Sequence, residues 1–225
     1  MIGKSFVAPA LPLATREYDF LFTNDLIRVL RLYFNLNDKY TTDVILDALN
    51  GAAGGNGITF PHIAASDSTD QHTTDNTATL VQWNTLDSGY LWSLASNAAT
   101  ADVAGVYTIR YSLQFANTDN QQHTATVWLQ KNGSDVANSA TSFSVPARKS
   151  PSIPGFITAY SEATFTVAVG DDIELYWATD KANVVSPAAD GVYMFHDAAQ
   201  ASPFARPAIP SAIGSISWLS AIPPA

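Results

Sequence analysis

Four histidines, His62, His72, His123 and His196, are the first candidates for chemistry. No two stand at the i, i+4 spacing that would put a pair of metal ligands on one helix face. The absence of cysteine removes thiolate ligands, a Cys nucleophile and disulfide staples. Asp67, Asp70, His72 and Asp75 share one polar stretch and could offer hard oxygen donors to a cation. That stretch lacks the central Gly and closing Glu of a calcium loop, so a solvated loop is the expectation. Asp171 and Asp172 follow Gly170 in a turn, where Asp commonly bonds the backbone. No Gly-x-Ser-x-Gly elbow occurs. The glycine run at 51–57 leads into Ile58 and Pro61 rather than into a helix that could cradle phosphate. No pair of carboxylates stands out for glycoside hydrolysis. The expectation is a non-enzymatic protein with no metal and no cofactor. A glycan-degrading domain is the enzyme-class alternative.

Aromatic residues are the other possible binding chemistry. Tyr107, Tyr111 and Phe115 recur on one side of an alternating run and read as core rather than as a ligand platform. Trp83, Trp92, Trp128, Trp177 and Trp218 fall in different segments. One or two of them, exposed beside polar loops, would serve a glycan site.

The elements that must position these residues are mostly strands. From about residue 77 the apolar pattern has period two. Strands are expected at 79–83, 90–94, 105–115, 124–131, 136–145, 155–169, 172–179, 191–196 and 214–220. Asn132-Gly133 is a strong hairpin signal, and Gly170-Asp171 marks a second turn. Pro203, Pro207 and Pro210 mark a structureless connection. Many strands without crossover helices imply an antiparallel sandwich or barrel.

The first 55 residues differ. Pro9 and Pro12 interrupt the apolar start, which favours an extended arm held by a partner over a signal peptide. Tyr18, Phe20 and Phe22 alternate as an aromatic face. Leu26, Val29, Leu30, Tyr33 and Phe34 repeat at helical spacing, and a second short helix is expected at 42–50. The helix face is too apolar to leave wet, and the glycine hinge favours docking or self-association over core packing. The expected division is an arm and helical attachment module at 1–55, a linker and polar loop at 56–76, and a β domain at 77–225.

Composition narrows the partners. The chain of 225 residues holds 11 Lys and Arg against 20 Asp and Glu, for a net charge of −9. Scattered cations in an acidic chain argue against nucleic acid. No apolar run is long enough to span a membrane, and the helix lacks a basic polar face for lying on one. Only 14% of residues are charged while 47% are hydrophobic, so much surface is uncharged and association is expected.

Three motifs carry a resemblance. Gly105-x-Tyr107-x-Ile109-x-x-x-Leu113-x-Phe115, the run Phe165-x-Val167-x-Val169-Gly170-Asp171-Asp172-Ile173-x-Leu175, and Gly214-Ser-Ile216-Ser-Trp218-Leu219 resemble, in order and spacing, the tumour-necrosis-factor-like jelly roll, which includes the globular heads of complement-type trimers. The resemblance covers about residues 77–222, and the Pro-rich stretch at 203–210 departs from it. It implies a homotrimer whose inner sheets meet at the axis. The residues opposite the core would then lie there: Val106, Thr108, Arg110, Ser112 and Gln114, with Glu174 and Tyr176 by matching parity. A buried Arg110 would need a carboxylate partner, because an unpaired buried charge is costly. Strand alternation alone equally allows a solvated Arg110.

Arg16-Glu17-Tyr18-Asp19-Phe20 and Leu30-Arg31-Leu32-Tyr33-Phe34-Asn35-x-x-Asp38 resemble the start of tailed-bacteriophage structural proteins. That resemblance implies a virion location on the capsid surface, with assembly in the bacterial host cytoplasm. Its partners would be further copies of the chain and the major capsid protein or another virion protein. The implied role is a capsid decoration, or cement, protein. It would dock through Tyr18, Phe20, Phe22, Leu26, Leu30, Tyr33 and Phe34, with a projecting jelly-roll head. The alternative is a tail-fibre or spike-type knob that binds a host receptor glycan. A fibre normally carries a long repetitive shaft, and this sequence shows none.

Overall fold

The computed structural model describes residues 60–221. The arm, both expected helices, the glycine hinge and the docking set Tyr18, Phe20, Phe22, Leu26, Leu30, Tyr33 and Phe34 lie outside the described residues. Thirteen strands follow in chain order among the described residues: β1 His62–Asp67, β2 Thr79–Leu80, β3 Thr85–Tyr90, β4 Trp92–Ala95, β5 Ala98–Ala101, β6 Gly105–Asn117, β7 His123–Lys131, β8 Ser134–Asp135, β9 Thr141–Val145, β10 Gly155–Val167, β11 Asp172–Thr179, β12 Val192–Met194 and β13 Ala212–Ser220.

They form two antiparallel sheets. The first runs β10-β6-β13-β1-β3, with β12 also on β6. The second runs β4-β5-β11-β7-β8, with β2 on β11 and β9 on β7. The chain crosses between sheets at β1–β2, β2–β3, β3–β4, β5–β6, β6–β7, β9–β10, β10–β11 and β11–β12, the double winding of a jelly roll. One core fills the space between them. Tyr107, Ile109, Leu113, Phe115 and Ile216 from the first sheet meet Trp92, Val127, Leu129, Leu175 and Trp177 from the second.

Local chemistry explains the turns. Asn132 and Gly133 both have positive φ (52° and 73°), as a two-residue hairpin between β7 and β8 requires. Gly170 sits at φ 82°, and the Asp171 carboxylate accepts from the Ala168 amide at 2.8 Å and from Asn132 Nδ2 at 2.8 Å, fastening that turn to the hairpin.

Several expectations need correction. The 56–76 stretch is not all linker, because β1 lies within it. Ile63 and Ala65 are buried, and the strand pairs on both sides, with β13 and with β3. Its small and polar residues hide the alternation. The expected strand at 90–94 is broken by Leu91 at φ 56°, where the chain passes from β3 into the other sheet. The return strand at 136–145 is likewise broken, since β8 ends at Asp135 and β9 begins at Thr141. The Pro-rich connection is ordered: Asp197 bridges Ile209, Gln200 bridges Arg206, and the Arg206 guanidinium binds Asp197.

A candidate assembly face

Backbone pairing decides which side chains share the outer face of the first sheet. The β6–β10 register is unbroken over 13 residues of each strand, and it matches Thr108 with Thr164, Arg110 with Glu162, Ser112 with Tyr160, Gln114 with Thr158 and Ala116 with Phe156. β13 continues the rows with Ile213, Ser215 and Ser217, and β1 with Ser66, Ala64 and His62. Adjacent positions in each strand point into the core, because strand side chains alternate.

Of the expected axis residues, Thr108, Arg110, Ser112 and Gln114 come together on this face. Glu174 and Tyr176 do not. They belong to β11 in the opposite sheet, where Tyr176 stacks on Trp128 with ring centroids 6.0 Å apart. Parity along a strand says which side a residue takes, not which sheet carries the strand. The carboxylate partner of Arg110 is Glu162, with Nε donating to Oε2 at 2.7 Å. The hydrogen bond and charge of Glu162 raise the guanidinium further above its ordinary value.

The polar groups of the face largely satisfy one another. Thr158 Oγ1 donates to Gln114 Oε1 at 2.9 Å, the Thr108 and Thr164 hydroxyls lie 3.2 Å apart, and His62 Nε2 meets Ser88 Oγ at 2.9 Å. On the outer positions of β10, β6, β13 and β1, Arg110 and Glu162 are the only formal charges, and they neutralise each other. Large apolar groups stand among them: Tyr160 is 58% exposed, Phe156 51% and Ile213 47%. Covering such a face gains apolar burial, while its one ion pair is already hydrogen-bonded within the face. Glu162, Tyr160, Phe156 and Ile213 were missed from sequence. The alternation of 155–169 was visible, but only the register with β6 sets Glu162 beside Arg110.

The other candidates fare less well. His72 stacks on Tyr193, and Tyr193 and Phe195 continue to Phe156. The planes of Tyr193 and Phe195 differ by 87° and those of Phe156 and Phe195 by 54°, so this aromatic row is not a flat platform for a sugar. Trp92 and Trp177 are buried in the core. The half-buried Trp128–Tyr176 pair lies on the outer face of the second sheet. There Trp128 Nε1 and Gln130 Nε2 donate to Asp135 at 2.8 and 2.9 Å. Burial, and then the nearby Glu174, raise the Tyr176 phenol above its usual value.

The acidic stretch disperses. Asp67 accepts from the Thr69 amide, Asp70 from the His196 amide, and Asp75 from the Ala182 amide, each at 2.8 Å. Among the described residues no group of three or more His, Asp or Glu side chains is placed to hold a metal ion. Between the sheets, Ile63, Trp83, Ile109, Leu175 and Ile216 help line a cavity of about 40 Å³, too small for a sugar ring.

No protein-family model matches the chain, and no curated protein does. Solved structures of similar shape include the Eiger TNF of S. frugiperda, with 13% identity and a TM-score of 0.43 over 75% of this chain and 98% of that one. The globular domain of zebrafish complement 1qA likewise shows 13% identity and a TM-score of 0.43, over 73% of this chain and all of that one. The jelly-roll assignment itself stands on the strand order, the inter-sheet crossings and the single core described above.

Proposed function

We propose that this chain is a homotrimeric virion structural protein of a tailed bacteriophage, acting as a capsid decoration protein. The first sheet of each jelly-roll head would pack around a threefold axis, with residues 1–55 as the docking module. The observation that carries the trimer is the outer face of β10-β6-β13-β1, a broad surface with one internally neutralised charge pair and three exposed large apolar side chains. The virion setting rests on the sequence resemblance at residues 16–38. The function is binding: three weak docking contacts on one particle act together, so avidity multiplies them.

Arg110→Glu tests the axis. It sets a second carboxylate against Glu162 on an exposed position, so the fold should persist while assembly fails. Light scattering on the intact chain should give a trimer for the natural sequence and a monomer for the variant. A variant that remains trimeric removes Arg110 from the interface. Adding the purified chain to capsids that lack it tests the particle role, and failure to co-sediment would refute that part alone.

A second reading is a knob that binds a host glycan. It is favoured by the Trp128–Tyr176 pair beside Gln130 and Asp135, a ring surface with polar groups at its margin. Trp128→Ala would abolish binding to host cells under this reading and leave particle binding unchanged under the first.

A further inference from the structure

His123 opens β7 at one end of the sandwich, and both of its ring nitrogens face a carboxylate. Nε2 lies 2.9 Å from Asp119 Oδ2, and Nδ1 lies 3.3 Å from Asp180 Oδ2. Asp119 belongs to the connection from β6 to β7, and Asp180 follows β11. The ring therefore joins two segments far apart in sequence. Ionised carboxylates only accept hydrogen bonds, and a neutral imidazole has one N–H. Both contacts are hydrogen bonds together only when both ring nitrogens carry protons.

We propose that His123 is a proton-operated latch. As the imidazolium it fastens the β6–β7 connection to the end of β11, and loss of one proton releases one side.

The surroundings fit this role. The His123 contact and then the Asn120 amide hold the Asp119 carboxyl below the usual carboxylate range. Burial pushes Asp180 up, but the Thr124 amide and His123 outweigh it and hold the carboxyl low. Both acids thus remain charged in the mildly acidic range. The other charged groups nearby are already paired. Lys181 binds Asp75 at 3.2 Å, and Arg148 binds Asp190 at 2.9 Å. Without the imidazolium, the four carboxylates Asp75, Asp119, Asp180 and Asp190 face two cations. Opening would stay local, because Thr118 is held independently: its amide donates to Gly191 O, and its carbonyl accepts from Arg148.

The test is amide hydrogen exchange by NMR on the intact chain across the titration of His123, corrected for intrinsic pH dependence. The readouts are the Asn120 and Thr124 amides, which donate to Asp119 Oδ1 and Asp180 Oδ1 at 2.6 and 2.8 Å. Protection of the amide on the released side should fall about two- to tenfold as the ring loses its proton, the worth of one ordinary hydrogen bond. The Leu129 amide should not follow. In His123→Gln the protection should be independent of pH, and Asp180→Asn should flatten the Thr124 profile while keeping the ring. Unchanged profiles in both variants, or natural protection that ignores the ring's titration, would overturn the latch.

Discussion

Tyr160→Ala separates assembly from folding. The side chain is 58% exposed on β10 and stands in one row with Ser112 and Ile213. A tyrosine offers roughly 200 Å² for burial, so about 115 Å² remains open here. Covering that area at ~25 cal/mol per Å² is worth about 3 kcal/mol per subunit, less the small share that Ala retains. At 1.4 kcal/mol per decade, the variant should weaken association by about 1.5–2 decades for each interface that buries the ring. The isolated fold should hardly notice, because an exposed substitution usually changes stability by only about 0.5 kcal/mol. Sedimentation equilibrium over a dilution series reads the association, and urea unfolding followed by tryptophan fluorescence reads the fold. Equal association constants for the natural chain and the variant would refute the face. A loss of several kcal/mol in the unfolding curve at monomeric concentration would show that Tyr160 supports the fold instead.

Leu113 is fully buried at the middle of β6, so Leu113→Ala should lower unfolding stability by about 2–5 kcal/mol, read from urea curves under monomeric conditions. Asp171 carries a pH prediction. The Ala168 amide first, and then Asn132, hold its carboxyl below the ordinary 3.8. A carboxyl with a lowered folded value stabilises above its unfolded value, and that contribution disappears as pH falls through the folded one. Asp171→Asn should therefore be less stable at neutral pH and lose less stability on acidification below about pH 4. Parallel acid-unfolding curves for the two chains would rule the carboxyl out as a contributor.

Much of the β architecture was legible locally. The alternation from Tyr107 to Phe115 specifies a half-covered strand because side chains on a strand repeat every two residues. Asn132-Gly133 and Gly170-Asp171 specify turns because Asn and Gly tolerate positive φ and Asp caps backbone amides. The strand β1 was hidden because alanine and serine give too weak a contrast between its faces. Ser96 and Asn97, both at positive φ, likewise turned β4 into β5 at a place with no glycine to announce it.

The candidate site was half legible. Parity placed Thr108, Arg110, Ser112 and Gln114 together, since those positions lie on one strand. It gave no means of telling that β11 belongs to the opposite sheet, so Glu174 and Tyr176 were grouped with residues of β6 from which the fold separates them. Nor could it pair Arg110 with Glu162, 52 residues away. The sequence by itself determined most of the long strands from Gly105 onward, two of their turns and which of their sides are apolar, because those are properties of neighbouring residues. The tertiary structure decided which strands share a sheet and in what register. Pairing between distant segments is chosen by the core they bury together, and that choice sets the charge pair on the face and brings His123 between Asp119 and Asp180.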